Sequence, residues 1–139
     1  MAETVRLVEY FYVTAPNQAG EGARALGTLW KAGVDLLAFS GFPSGRKAQM
    51  DFVPADAAAF KQAAKQARWK VVGPKHAFLV QGDDRVGAGA ELLARLAAAK
   101  INVTAIDAVT VGDGRYGAIF WVAPQAVKKA AALLGATAG

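Results

Sequence analysis

The sequence matches itself at a single offset of 67 residues. When Gly20 is placed on Gly87 (87 − 20 = 67), Gly22 falls on Gly89 and Val34-Asp35 falls on Ile101-Asn102. The same offset pairs further core and turn positions: Phe11 with Phe78, Val13 with Val80, Ala23 with Ala90, Leu26 with Leu93, Leu29 with Leu96, Ala38 with Ala105, and Gly45 with Gly112. Repetition at a fixed period indicates one small structural unit built twice. We therefore predict two repeats, residues 1–73 and 74–139.

Each repeat has the same predicted order of elements. In the first, residues 5–13, 34–40 and 47–53 are rich in strand-forming residues. Residues 20–32 carry a helical apolar stripe, and Asp56 is placed to cap a second helix. In the second repeat the corresponding segments are 76–81, 88–100, 101–109 and 116–122, followed by a helix from Pro124. The predicted fold is α+β, a duplicated ferredoxin-like βαββαβ unit whose helices cover one face of an antiparallel sheet.

The fourth strand of each repeat is harder to place. Residues 69–72 read as a short strand, but the corresponding residues 136–139 are small and end the sequence. An open strand edge invites aggregation. We therefore expect residues 69–72 to fold back on strand 76–81 as a hairpin through Gly73-Pro74-Lys75, either alone or shared between both repeats. The alternative is a strand donated by a neighbouring subunit.

Large residues also alternate on the other side of the first strand. Val8, Tyr10 and Tyr12 point away from the side of Leu7, Phe11 and Val13. We expect this second apolar face to pack against another sheet, because an uncovered apolar patch of this size usually marks an interface. In the alternative, the tyrosines decorate a solvated face.

Composition removes several classes of chemistry. The chain has 139 residues, no cysteine and one histidine, His76, which excludes disulfides, thiolate metal ligands and a multi-histidine site within one chain. Asp83 and Asp84 are adjacent and their side chains diverge, so they make a poor acid–base pair. No nucleophile motif or phosphate loop occurs. We expect no cofactor, no metal site and no enzymatic activity.

Charge and hydropathy bear on partners and location. The net charge is +5, but the basic residues are scattered over predicted helix faces, so nucleic acid is not an expected partner. No apolar run reaches the ~20 residues of a membrane span, and the first residues lack the pattern of a signal peptide. We expect a cytoplasmic protein without a membrane partner.

The most informative local segment is Asp84-Arg85-Val86-Gly87, which precedes a predicted helix and is followed later by Lys100-Ile101-Asn102. This pattern resembles the ACT-domain signature, an Asp-Arg-Pro-Gly-type loop and a Gly-Ile-Asn-type segment. The first repeat has Asn17-Gln18-Ala19-Gly20 and Gly33-Val34-Asp35 at the same places. The second repeat differs from the family by Val86 in place of proline and Lys100 in place of glycine. The resemblance covers both repeats.

The resemblance implies a binding site for free amino acids, because in ACT domains these segments line a seam between neighbouring units. The first turn of a helix offers unpaired N–H groups to a carboxylate, and a nearby Asp or Asn can accept from an ammonium group. The candidate ligand-binding residues are Asn17, Gln18, Ala19, Gly20, Asp35, Asp84, Arg85, Val86, Gly87 and Asn102. The alternative is that Asn17 and Asp84 only cap helices and that the glycines only allow close helix packing.

The expected function follows from the resemblance. It implies a non-catalytic regulatory or sensor module that binds a small molecule, an amino acid, and assembles as a homodimer or larger oligomer. A separate regulated enzyme is a further possible partner. The alternative function is a structural protein–protein interaction module that binds no ligand.

Overall fold

The structure, a computed structural model, describes residues 3–138, and its elements follow the predicted α+β order. The strands and helices are, in chain order, β1 (Thr4–Pro16), α1 (Glu21–Lys31), β2 (Leu36–Ser44), β3 (Lys47–Pro54), α2 (Ala57–Gln66), β4 (Val72–Asp83), α3 (Ala88–Ala98), β5 (Val103–Gly112), β6 (Arg115–Val122), α4 (Val127–Leu134) and β7 (Thr137–Ala138), with a 3-10 turn at Pro124–Ala126 before α4.

The chain forms two compact units. The first unit is Glu9–Lys75, and the second unit consists of residues 3–8 and 76–138. Each contains two helices on one face of an antiparallel sheet, so the βαββαβ arrangement occurs twice and the predicted fold class is confirmed.

In the first unit the strand order is β2-β3-β1-β4, and β3 runs antiparallel to both β1 and β2. Phe11 on β1 lies opposite Phe52 on β3. Both rings are fully buried beneath α1 and α2, and the Phe11 and Phe60 ring centroids are 4.9 Å apart. The Asp56 side chain accepts from the N–H groups of Ala58 and Ala59, which confirms the predicted cap of α2.

In the second unit the order is β5-β6-β4, with residues 4–8 of β1 beside β4. Its core contains Phe78, Phe120 and Leu96, and the two phenyl rings stack with centroids 4.9 Å apart. The short strand β7 pairs in parallel with β1, where Arg6 lies opposite Thr137. The second unit therefore draws strands from both ends of the chain.

The 67-residue offset holds in the structure of each unit. Helix α1 begins at Glu21 and α3 begins at Ala88 (88 − 21 = 67), and the two helices have equal length. Residues at matching positions also share backbone conformation: φ is 71° at Gly33 and 61° at Lys100. The two units therefore repeat local geometry as well as element order.

The predicted hairpin between residues 69–72 and 76–81 is wrong. β4 runs from Val72 to Asp83 as one strand, and residues 69–71 are not part of it. The reason lies at Gly73, whose φ is 135° and which packs directly on β1. A Cβ there would lie 2.8 Å from the carbonyl oxygen of Tyr10, so only glycine allows this close approach. The glycine thus continues the strand along β1 and does not form a turn.

The face of the first unit opposite its helices is not a solvated surface. Tyr10 and Tyr12 are half-buried, and Asp51 and Val53 on the same face are buried. This burial argues against the interpretation that the tyrosines decorate a solvated face. Packing of the face on another sheet stays a prediction.

Candidate ligand-binding site

The loops before α1 and α3 enter their helices through glycines with left-handed backbone conformation. φ is 93° at Gly20 and 90° at Gly87, and each glycine occupies the N-cap position without a side-chain hydrogen bond to the helix. A residue with a Cβ adopts this conformation at a cost of about 1–2 kcal/mol. The glycines therefore allow a tight turn that leaves the start of each helix open.

The first turn of each helix has N–H groups available for a ligand. Within residues 3–138, no acceptor is found for the N–H groups of Gly22 and Ala23 in α1, or for those of Gly89 and Ala90 in α3. The preceding N–H groups do have backbone partners: Glu21 donates to Gln18 and Ala88 donates to Arg85. Free first-turn amides and the positive end of the helix dipole together attract an anion.

In the residues that it describes, the structure does not show the side-chain caps or the close packing that the alternative interpretation of these loops requires. Neither Asn17 nor Asp84 provides a side-chain cap, because Gly20 and Gly87 are the N-cap residues. The N–H of Asp84 instead donates to the carbonyl of Gly114, which ties the loop to the β5–β6 turn. A Cβ at Gly22 or at Gly89 would meet no atom within 4 Å, so close helix packing does not require these glycines.

The ten predicted site residues lie either in the loops before α1 and α3 or just before β2 and β5. Residues 17–20 and 84–87 form the exposed loops, whereas Asp35 and Asn102 precede β2 and β5 and are also exposed. The backbone carbonyl of Asp35 accepts from the N–H of Ala55 at 3.0 Å. Among the described residues, no hydrogen bond joins either loop to Asp35 or Asn102. Their combined role in binding stays a prediction.

A cavity of about 270 Å³ lies in the second unit next to its loop, and Arg85 is the predicted site residue that lines it. Three of its charged lining residues are in ion pairs: Arg85 pairs with Glu91, and Asp83 pairs with Arg115, which lies outside the lining, at 3.0 Å. The Tyr116 hydroxyl donates to Glu3. Burial, together with that hydrogen bond, raises the pKa of Tyr116 to about 12, so the hydroxyl keeps its proton. The remaining lining residues are Ala88, Leu92 and Arg95.

A larger cavity of about 580 Å³ lies in the first unit and was not found by the sequence interpretation. Its lining comes from β1, α1, β3 and the segment after α2: Val13, Thr14, Ala15, Pro16, Glu21, Arg24, Ala25, Thr28, Lys47, Met50, Ala67, Arg68, Trp69 and Lys70. The sequence analysis assigned the basic residues to helix faces, whereas Arg68 lines this cavity. Residues so far apart in sequence give no local signal that they share one cavity.

The groups that could bind a ligand in residues 3–138 are backbone N–H donors and charged side chains. Within this range, no group of three or more His, Cys, Asp or Glu residues could hold a metal ion. No helix in residues 3–138 is long and apolar enough to cross a membrane. His76 is exposed on β4, at the start of the second unit. The arrangement provides amide donors and cationic side chains, which are suited to holding an anion.

Comparison with known proteins identifies the fold. No protein-family model matches the sequence, and no curated protein matches it either. A solved protein of Bacteroides thetaiotaomicron superposes with a TM-score of 0.80 at 14% identity, over 94% of this chain and 88% of that one. The ligand-free regulatory subunit of aspartate kinase from Thermus thermophilus gives 0.66 at 13% identity, over 97% and 96%. The regulatory subunit of aspartate kinase from Thermus flavus gives 0.61 at 16%, over 97% and 95%. These matches confirm the ACT-like α+β fold.

Proposed function

We propose that this chain is a non-catalytic regulatory module that binds a small ligand, an amino acid, at the loops before α1 and α3. The observation that carries the proposal is the pair of helix starts behind Gly20 and Gly87, where first-turn N–H groups have no acceptor among the described residues. The same feature occurs in both units, although their loop side chains differ.

The chemistry of an amino acid fits this feature. Its carboxylate accepts from the free N–H groups of Gly89 and Ala90, where the helix dipole also favours negative charge. Its ammonium group then needs an acceptor nearby, and Asp84 is the exposed carboxylate of the same loop. In the first unit, Gly22 and Ala23 supply the N–H groups and Asn17 supplies the side-chain oxygen.

The structural neighbours support a regulatory role. Two of them are regulatory subunits of aspartate kinase, and their chains are covered almost completely by this fold. By analogy, binding here acts on a separate enzyme through contacts between subunits, and the module works as a homodimer or larger oligomer in the cytoplasm.

A second candidate function is a structural interaction module without a ligand. The observation that favours it is the exposure of apolar side chains on β5, where Val109 is 64% and Val111 is 65% exposed. An exposed strand of this kind readily pairs with another chain.

A thermal-shift screen against the individual amino acids at millimolar concentration tests the proposal. A ligand present at 100 times its Kd adds about 2.7 kcal/mol of stability, which gives a clear rise in Tm. If no amino acid raises the Tm, amino-acid sensing is rejected and the ligand-free interaction module is favoured.

The site is then tested with Gly89→Glu and Gly22→Glu. The new carboxylate lies beside the free N–H groups, competes with the ligand carboxylate, and suits the start of a helix. Gly89→Gln and Gly22→Gln are the matched neutral controls. We expect the glutamate variants to lose the Tm response and the glutamine variants to keep it. A full response in both glutamate variants would place the ligand elsewhere.

A further inference from the structure

The larger cavity has the dimensions of a small-molecule site. It lies in the first unit, between the end of β1, the first two turns of α1 and the segment that follows α2. Its volume of about 580 Å³ falls within the range of roughly 300–1,000 Å³ that is usual for ligand pockets.

The floor of this cavity is apolar and held in place. Val13, Ala25 and Met50 are buried core residues that also line it. Trp69 joins them, and its ring stacks on Phe52 with centroids 5.7 Å apart and an interplanar angle of 23°. The N–H of Trp69 donates to the carbonyl of Ala64 at 3.0 Å, which fixes the start of this segment against α2. An apolar group entering the cavity therefore meets a preformed surface.

The rim of the cavity carries excess positive charge. Four cationic side chains line it, Arg24, Lys47, Arg68 and Lys70, against one carboxylate, Glu21, so the lining sums to 4 − 1 = +3. Glu21 already pairs with Arg24. Lys47, Arg68 and Lys70 make no ion pair with any residue of the described chain. Three like charges around one concavity repel each other, and a bound anion would offset this repulsion by attracting all three.

The smaller cavity shows that the fold does not require this charge. Most residues that line the smaller cavity match a residue of the larger cavity at the 67-residue offset. Residues 3–8 belong to the second unit, and there Glu3 occupies the position that Lys70 has in the first unit (70 − 67 = 3). Glu91 likewise takes the place of Arg24 (91 − 24 = 67). The smaller cavity has two cations and three carboxylates, 2 − 3 = −1, and Arg85, Glu91 and Asp83 among them are in ion pairs. The two cavities therefore occupy matching places in the two units, but only the cavity of the first unit has the positive charge that attracts an anion.

We propose that the cavity of the first unit binds a small organic anion, with its apolar or aromatic body on Met50 and Trp69 and its carboxylate or phosphate among Lys47, Arg68 and Lys70. A concave site with a buried apolar floor favours such a molecule over an extended polyanion, which would need charge spread along a surface. The site depends on side chains and a cavity, whereas the amino-acid site proposed above depends on backbone N–H groups, so either can fail without the other.

Isothermal titration calorimetry of the full chain with phenyl phosphate and phenylacetate tests the proposal. Inorganic phosphate and benzyl alcohol are the controls that carry only the charge or only the ring. We expect at least one aryl anion to bind with one site per chain, and both controls to bind more weakly by about tenfold or more, which corresponds to about 1.4 kcal/mol. The two aryl anions tell whether phosphate or carboxylate is preferred.

Two matched variants locate the binding. Lys70→Glu places at the rim the residue type that the smaller cavity has there, and should weaken the aryl anion by at least about tenfold. Lys31→Glu makes the same change of charge on the exposed last turn of α1, outside the cavity, and should leave the affinity within about twofold. Equal weakening by both variants would show long-range attraction without a site and overturn the proposal. So would the absence of binding by both aryl anions, or binding of inorganic phosphate as tight as theirs.

Discussion

Tyr12 and Asp51 lie directly opposite each other on β1 and β3. Asp51 is 6% exposed, and its Oδ1 accepts from Nε2 of Gln49 at 2.9 Å. The Lys75 ammonium lies 5.5 Å from the centre of the Tyr12 ring. Burial raises the pKa of Asp51 above its ordinary value, while the Gln49 hydrogen bond and the charge of Lys75 oppose that increase. The first unit therefore keeps a carboxylate whose charged form is disfavoured by its surroundings.

The raised pKa predicts how Asp51 affects stability. Because the folded pKa is raised, the favourable contribution of Asp51 is complete below its unfolded pKa of about 4 and is lost as the pH rises through the folded pKa. Asp51→Asn removes the charge and keeps an acceptor for Gln49. We expect the variant to be more stable than the parent near pH 7, and the difference to disappear as the pH falls below about 4.

Urea unfolding of the parent and of Asp51→Asn, from pH 7 down to below pH 4, measures the difference in their free energies of unfolding. The titration of all other carboxylates cancels in this difference. A variant less stable than the parent at neutral pH would mean that the attraction of Lys75 exceeds the cost of burial.

Gly27 lies inside α1, where a Cβ would meet no atom within 4 Å, and α3 has Ala94 at the matching position (94 − 27 = 67). Gly27→Ala should stabilise the protein by about 0.5–1 kcal/mol, because alanine loses less backbone entropy in a helix. Thermal unfolding should show a higher Tm. An unchanged or lower Tm would mean that the glycine has a contact or a role beyond those described.

Gly73→Ala should have the opposite effect. The new Cβ would lie 2.8 Å from the Tyr10 carbonyl oxygen and 2.9 Å from the Phe11 ring, at a φ of 135° that side chains rarely adopt. Relief requires movement of the β1 backbone, so we expect a loss of about 2 kcal/mol or more. The measurement is again thermal unfolding, alongside Gly27→Ala as the matched substitution. Equal stability of the two variants would contradict the close approach of β4 to β1.

Lys100 adopts a φ of 61° just after α3, where the first unit has Gly33. The left-handed conformation costs a side-chain-bearing residue about 1–2 kcal/mol, partly offset by the entropy that glycine loses on folding. Lys100→Gly should therefore stabilise the protein by about 0.5–1 kcal/mol. Lys128→Gly, in the first turn of α4, removes the same side chain from a helix and should destabilise by about 0.5–1 kcal/mol. A loss of stability in both variants would show that the Lys100 side chain itself is needed.

The exposed valines of β5 bear on assembly. We expect light scattering to give at least twice the mass of one chain, and Val109→Lys with Val111→Lys to lower it, because lysines on a strand oppose edge pairing. A double variant that keeps its mass would place the subunit contact elsewhere, and a parent protein with the mass of one chain would contradict assembly.

The structural features that depend on residues close together in the sequence were predicted correctly. The Leu29 and Leu96 stripes, the Asp56 cap and the glycines before each helix follow from residues close together in the chain. The continuous strand through Gly73-Pro74 did not, because this dipeptide normally indicates a turn and its role depends on the backbone of Tyr10. The larger cavity was missed for the same reason, since Lys47 and Lys70 lie in segments that only the folded sheet brings to one place.

The second unit is built from two separate segments of the chain, and this affects the order in which the two units fold. The first unit is one contiguous segment, and all of its residues are available once residue 75 has been synthesised. The second unit pairs Arg6 with Thr137, so its sheet closes only when the two ends of the described chain meet. Contacts at such large sequence separation form slowly. We therefore expect the first unit to fold during synthesis while residues 3–8 wait, and the second unit to complete its sheet last.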